Sequence, residues 1–222
     1  MKPDLDCSLY LVTDRNLMRT PTLSLAVEQA IQGGCTLIQL REKTVSSLEF
    51  YRLAEEIKIV TDRGRVPLVI NDRVDIALAV GAAGVHIGQN DLPAGVVRSL
   101  LGTDQILGVS VETPEQAVRA ERDGADYLGV GAMFATGTKS HAGIVTMESL
   151  KVIRAAVTIP IVVIGGIGPD TIPLFDQTGI DGIAVVSALM AADDIARSAR
   201  ELKKEFSKLT IPSEAGAVDT KR

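Results

Sequence analysis

Four times in this chain of 222 residues, a stretch with helical spacing runs into glycine, and two or three residues later a short β-rich apolar run begins. Gly33 and Gly34 precede Leu37-Ile38-Gln39-Leu40, Gly81 precedes Val85-His86-Ile87, Gly124 precedes Tyr127 to Val130, and Gly179 precedes Ile183 to Val186. Glycine suits the left-handed position that closes a helix before a strand, because it has no Cβ to clash there. Four further apolar runs, Leu9 to Val12, Leu68 to Ile70, Ile106 to Val109 and Ile161 to Ile164, bring the expected strands to eight. Helix starts lie between them. Ser46 with Glu49 forms a capping box before LEFYRLAEEIKIV, and Thr113-Pro114-Glu115-Gln116 supplies a cap with proline in the first turn.

Strict β-then-α alternation predicts a parallel sheet covered by helices. Strands buried on both faces should then be apolar throughout, as these are. Eight such units predict closure into a (β/α)8 TIM barrel of one domain over 1–206, followed by a polar C-terminal tail over 207–222; a doubly wound open sheet is the alternative. At 222 residues there is room for the barrel, which needs roughly 200 to 250, and for no inserted domain. The stretch from Ala132 to Thr146 falls outside the repeat and is expected to be a functional loop, acting as a lid.

With 23 Lys and Arg against 28 Asp and Glu, the net charge is −5, and aromatic residues make up 3%. This excludes a general electrostatic footprint for nucleic acid and the stacking platforms of single-strand readers. An anionic ligand must therefore be gripped locally. No apolar run is long enough to span a membrane, and Asp4 and Asp6 interrupt the N-terminus where a signal peptide would be apolar, so a cytoplasmic protein is expected. Cys7 and Cys35 are expected to be reduced and structural. Oligomeric state is open, a homo-oligomer included.

Alternate residues of a strand share a face, so Gln39, Arg41 and Lys43 point together while Leu40 and Glu42 point the other way. At the C-terminal end of a barrel strand this set makes an anion clamp in the mouth where barrel active sites lie. Asn71 and Asp72 follow the third strand and Asp91 the fourth, so two hard carboxylates approach the clamp; they fit Mg²⁺, or else they cap the helices that follow. Ala135 to Lys139 offers hydroxyls and an ammonium for an anion, yet it lacks the Gly-Lys-Ser/Thr order of a Walker loop. Ile164-Gly165-Gly166-Ile167 and Val186-Ser187 end strands seven and eight, where barrels often bind phosphate through backbone N–H groups. The two histidines, His86 and His141, form no zinc motif, and His86 is expected to be a satisfied interior group. No nucleophile with an adjacent base stands out.

LYLVTD at 9–14, QLREK at 39–43, NDRVDIALAVGAAGVHIGQNDLP at 71–93, GVS at 108–110, TGTK at 136–139 and IGGI at 164–167 together resemble the thiamine-phosphate synthase family. The resemblance runs in order from about Leu9 to Ala188. It implies a transferase of thiamine biosynthesis that joins 4-amino-5-hydroxymethyl-2-methylpyrimidine diphosphate to a thiazole phosphate, releasing pyrophosphate with the help of Mg²⁺. By motif, Gln39, Arg41, Lys43, Asn71, Ser110 and Lys139 would hold the pyrimidine diphosphate, Glu42 entering with them as part of QLREK; Arg41, Lys43, Ser110 and Lys139 would be catalytic. Asp72 and Asp91 would hold the metal. Thr136, Gly137, Thr138, Gly166, Val186 and Ser187 would bind the thiazole phosphate. The implied mechanism is dissociative, through a pyrimidinylmethyl cation, and needs no protein nucleophile.

The chain departs from the family pattern at Ala132 and Ala135, where prolines are usual, and at Glu112, where many relatives have histidine. The sister tautomerases rely on that histidine, so its absence favours the synthase. A tautomerase-like or other phosphate-binding isomerase, or a non-catalytic binder of thiamine precursors, are the alternatives.

Overall fold

The structure is a computed structural model, and it describes residues 5–135 and 143–210. The eight apolar runs form strands β1 (Leu9–Val12), β2 (Leu37–Leu40), β3 (Leu68–Asn71), β4 (Gly84–Ile87), β5 (Ile106–Val111), β6 (Tyr127–Val130), β7 (Ile161–Ile164) and β8 (Gly182–Val185). All pair in parallel with their sequence neighbours, and β8 returns to β1 through Leu9↔Ile183, Tyr10↔Ala184 and Leu11↔Val185. That last pairing closes the barrel and removes the open-sheet alternative.

The helices are α1 (Leu23–Gln32), α2 (Ser47–Gly64), α3 (Val74–Val80), α4 (Ala94–Leu101), α5 (Pro114–Arg122), α6 (Met147–Ala156), α7 (Ser187–Met190) and α8 (Ile195–Phe206). The expected caps are present: Ser46 accepts from Glu49 N–H, and Thr113 accepts from Gln116 N–H with Pro114 in the first turn. Gly34, Gly81, Gly124 and Gly179 hold φ of +102°, +63°, +94° and +73°, which is why glycine recurs before each of those strands.

The alternation lapses once. Between β7 and β8 the chain makes only a 3-10 turn, Ile172–Phe175, with Pro173 near its start, and Gln177 at φ +58° lies just beyond its end. Ile172 and Phe175 of that turn are buried, so the short connection still covers its share of the sheet.

Period-2 alternation sorts the strand side chains into two cores. Tyr10, Leu37, Val69, Ile106, Tyr127 and Val162 fill the lumen. Leu9, Leu11, Ile38, Leu40 and Ile70 face outward onto Ala26, Phe50 and Ile57 of the helices. Burying each large aliphatic chain is worth roughly 1.5–3 kcal/mol. At the N-terminal end of the barrel, Arg98 donates to the carbonyls of Gly102 (2.6 Å), Gly124 (3.0 Å) and Gln105 (2.9 Å) and pairs with Asp126 (2.7 Å), leaving the opposite mouth for chemistry. Beyond α8, Thr210 N–H donates to Asp176 Oδ1 at 2.8 Å, and Gln177 N–H to the Thr210 carbonyl at 3.3 Å. The start of the expected polar tail is thus bound to the barrel, and 211–222 lie outside the described residues.

Candidate active site

The C-terminal mouth holds a cavity of about 910 Å³, counted out to open solvent, whose lining includes Tyr10, Gln39, Arg41, Asn71, His86 and Ser110. From β2, Gln39 turns inward and donates to the Tyr10 hydroxyl at 2.6 Å. Arg41 lines the cavity, its backbone N–H fixed on Thr13 Oγ1 at 3.0 Å. Lys43 pairs with Asp72 across the β2–β3 rim. Glu42 turns the other way, as alternation requires. Arg15 grips it through Nε at 2.7 Å and Nη2 at 3.1 Å, and its side chain is 8% exposed. Its carboxylate is thus engaged behind the rim.

The ends of β3 and β4 supply the acids. Asp72 sits at φ +61°, a left-handed conformation that aspartate tolerates better than most residues, and its N–H is held by the His86 carbonyl at 2.8 Å. Asp91 Oδ2 accepts from Gly88 N–H at 2.7 Å. Neither acid caps a helix: Arg73 and Pro93 occupy the N-cap positions of α3 and α4, without a side-chain cap bond. Burial pushes the Asp91 carboxyl above its ordinary range; the Gly88 N–H opposes this, the adjacent Asp72 carboxylate adds to it, and Lys43 opposes it too. Two crowded carboxylates sharing one ammonium have the charge and hard oxygens to hold a divalent cation. No group of three or more His, Cys, Asp or Glu placed to hold a metal ion exists among the described residues, so an ion here would take its other ligands from water and substrate oxygens, the usual habit of Mg²⁺. Beside them Asn71 is 8% exposed, lines the cavity, and has its Nδ2 buried without a hydrogen-bond partner. Such a donor is costly unless a ligand satisfies it.

No hydroxyl beside an imidazole stands out in the sequence, but the fold brings such a pair together. Ser110 Oγ lies 2.8 Å from His86 Nε2, and His86 Nδ1 lies 2.9 Å from the Tyr127 hydroxyl. The cause is register. His86 stands opposite Gly108, and Gly108 opposite Tyr127, so the two large side chains meet over a residue that has none. A Cβ at Gly108 would fall 2.2 Å from Tyr127 Cζ and 2.5 Å from His86 Nδ1, and one at Gly129 would fall 3.0 Å from His86 Cε1. Glycines at inward-facing strand positions were the available signal. His86 is, as expected, a satisfied interior group. Ser110 is also fixed through its backbone, its carbonyl accepting from Gln89 Nε2 at 2.7 Å.

The far wall of the cavity comes from the loops after β7 and β8, with Gly165, Gly166, Val186 and Ser187 lining it. Gly165 and Gly166 hold φ of +95° and +69°. Side chains there would strike Ala132 at 2.7 Å and Phe134 at 2.6 Å, because the chain leaving β6 is laid directly on this loop. Met133 N–H donates to the Ile164 carbonyl and Phe134 N–H to that of Gly165, both at 3.0 Å. Ser187 opens the short α7. The gripping segment Thr136, Gly137, Thr138 and Lys139, the centre of the expected lid, and His141 lie outside the described residues. Glu112 N–H is taken by Gln116 Oε1 at 2.7 Å, and Ala132 is buried, its carbonyl accepting from Val145 N–H at 2.8 Å.

Residues 9–189 match the family model described as thiamine monophosphate synthase. The chain belongs to that family. It is 60% identical over 209 residues to the thiamine-phosphate synthase of Clostridium beijerinckii, covering 94% of this chain and 100% of that protein. It is 55% identical over 203 residues to the thiamine-phosphate synthase of Clostridium tetani, covering 91% and 97%. Among solved structures, the thiamine phosphate pyrophosphorylase from Pyrococcus furiosus superposes with a TM-score of 0.83 at 38% identity, covering 91% of this chain and 96% of that one.

Proposed function

We propose that the chain is a thiamine-phosphate synthase, joining a pyrimidinylmethyl diphosphate to a thiazole phosphate with release of pyrophosphate. The observation that carries this reading is the meeting of Arg41, the Lys43–Asp72 pair and Asp91 at one rim, beside the unsatisfied amide of Asn71. Arg41 and Asn71 line a cavity with an apolar floor, and Asp72, paired with Lys43, follows Asn71 directly, which suits a ligand that is anionic at one end and a flat ring at the other.

Asp72 and Asp91 are the residues that would hold Mg²⁺, which would supply Lewis-acid neutralisation of charge on phosphate oxygens. The chain's own groups do the rest. Arg41 and Lys43 stabilise the charge that grows on the diphosphate as the C–O bond breaks, and the resemblance assigns Lys139 of TGTK to the same task; donors preset for developing charge are commonly worth about 2.7–4 kcal/mol each. Gln39, Asn71 and Ser110 orient the pyrimidine diphosphate. The glycines after β7, with Val186 and Ser187 and the TGTK residues Thr136, Gly137 and Thr138, hold the thiazole phosphate so that its nitrogen lies in line with the methylene carbon, which receives it as a cation. No protein nucleophile is required. No helix among the described residues is long and apolar enough to cross a membrane, and the two buried free thiols suit a reducing cytoplasm, where we place the enzyme.

The test is pyrophosphate release with purified protein, each substrate alone and both together, with and without a chelator. Formation of thiamine phosphate only with both substrates and a divalent ion is expected. Turnover of a thiazole phosphate alone, indifferent to chelation, would overturn the reading.

A further inference from the structure

A hydrogen-bonded chain crosses the barrel lumen from β2 to β5: Gln39 Nε2 to Tyr10 Oη at 2.6 Å, Tyr10 Oη to Tyr127 Oη at 2.8 Å, Tyr127 Oη to His86 Nδ1 at 2.9 Å, and His86 Nε2 to Ser110 Oγ at 2.8 Å. Gln39, Tyr10, Tyr127 and His86 are each at most 8% exposed, and the chain opens into the ligand cavity at Ser110. Two inward glycines, Gly108 and Gly129, make the room for it. Both phenols are held protonated by burial, which raises them well above their ordinary value.

The first member fixes one bond of this chain: an amide NH₂ can only donate, so Tyr10 accepts from Gln39. The other three bonds run in one direction if each phenol spends its single proton on the next partner, Tyr10 on Tyr127 and Tyr127 on His86 Nδ1. A neutral ring would then carry its proton on Nε2 and donate it to Ser110, whose own hydroxyl proton would be left for the cavity.

We propose that Tyr127 and His86 are positioning residues which fix the Nε2–H tautomer and thereby make Ser110 an obligatory hydrogen-bond donor to the ligand's diphosphate. The ligand's identity rests on the function proposed above; the direction of the relay does not. The same polarity separates this Ser–His pair from a hydrolytic one. There, Nε2 must be bare to take the serine proton, and Nδ1–H is held by an acceptor. Here both ends are reversed, so Ser110 is a donor and no nucleophile.

The test combines nitrogen NMR of the histidine rings with titration of inorganic pyrophosphate in the presence of Mg²⁺, neither of which needs turnover. In the native protein, a bare Nδ1 and a protonated Nε2 are expected for His86, assigned by the loss of its signals in His86→Gln. Tyr127→Phe removes the proton offered to Nδ1 at almost constant volume, so the ring should redistribute toward Nδ1–H and pyrophosphate should bind about tenfold more weakly, the scale of one hydrogen bond to a charged group. Tyr10→Phe should keep the tautomer, because it leaves His86 Nδ1 as the acceptor for the Tyr127 proton; this separates the Tyr127–His86 step from general damage to the core. A native Nδ1–H tautomer, or a Tyr127→Phe protein that keeps both tautomer and affinity, would overturn the proposal. So would labelling of Ser110 by a fluorophosphonate. Intact pyrophosphate binding and tautomer with no thiamine phosphate formed would count against the proposed function alone.

Discussion

The ammonium of Lys43 rests on the carboxylate of Asp72, tying the strand that carries the cations to the strand that carries an acid. Arg41, two residues earlier and just past the end of β2, pairs with no acid among the described residues, and it lines the cavity itself. The two cations therefore differ in setting: Lys43 is tied to Asp72, whereas Arg41 faces the cavity.

Arg41→Ala should accordingly lower kcat/KM by two to three decades, the effect of losing one preorganised donor to a developing anion. The KM for the pyrimidine diphosphate should rise more than that for the thiazole phosphate. Steady-state kinetics with each substrate varied in turn reads this directly, and equal effects on both would place Arg41 elsewhere in the reaction.

Asp91→Ala removes one of the two acids and also the acceptor of Gly88 N–H. Most activity should disappear, and the residual rate should no longer respond to added Mg²⁺. Isothermal titration of the ion in the presence of pyrophosphate should show the lost affinity without any assay of turnover.

Cys7 and Cys35 are buried, and burial pushes each thiol up to about 12. The thiolate is the reactive form, so neither should react with a disulfide reagent at pH 8 until the protein is unfolded. Fast modification of either in the native state would contradict its placement.

Glu121 Oε1, at the end of α5, accepts from Thr158 N–H at 2.7 Å, Thr158 Oγ1 at 2.8 Å and Ile159 N–H at 3.1 Å. The Thr158 backbone bond is the main reason its carboxyl lies below the ordinary 4.5. A carboxyl depressed by folding stabilises the native state above its unfolded pKa and loses that contribution as pH falls through the folded value. Glu121→Gln, which imitates the protonated acid, should lower the melting temperature at pH 7 by roughly 1–2 °C, a small effect because solvent screens an exposed group. The difference from the native protein should close as the pH falls below 4.5. A gap that persists at pH 3 would mean the charge is not what matters.

Much of this molecule could be read from its residues because both signals involved are local. A glycine that ends a helix and an apolar run that follows depend on neighbours a few positions away, so the eight strands were legible, as were the caps at Ser46 and Thr113. The shared face of Gln39 and Arg41 was legible for the same reason, since period 2 places alternate side chains on one side. The relay from Gln39 to Ser110 was not. Tyr10 and Tyr127 are 117 positions apart, and whether they touch depends on strand register around a closed ring, which no local pattern encodes. The missing helix between β7 and β8 escaped as well, because Pro173 and a buried Ile172 are compatible with either a helix start or a single turn.

The seam between β1 and β8 has one more consequence, for a chain that is still being made. Leu9 to Leu11 find their partners at Ile183 to Val185, so β1 keeps an unpaired edge until β8 has left the ribosome. At roughly 5–20 residues per second, that interval lasts on the order of 10–35 seconds. Throughout it the first strand is a sticky edge of the kind that invites pairing with other chains, and a nascent polypeptide of this design is a natural client for a chaperone until its last strand arrives.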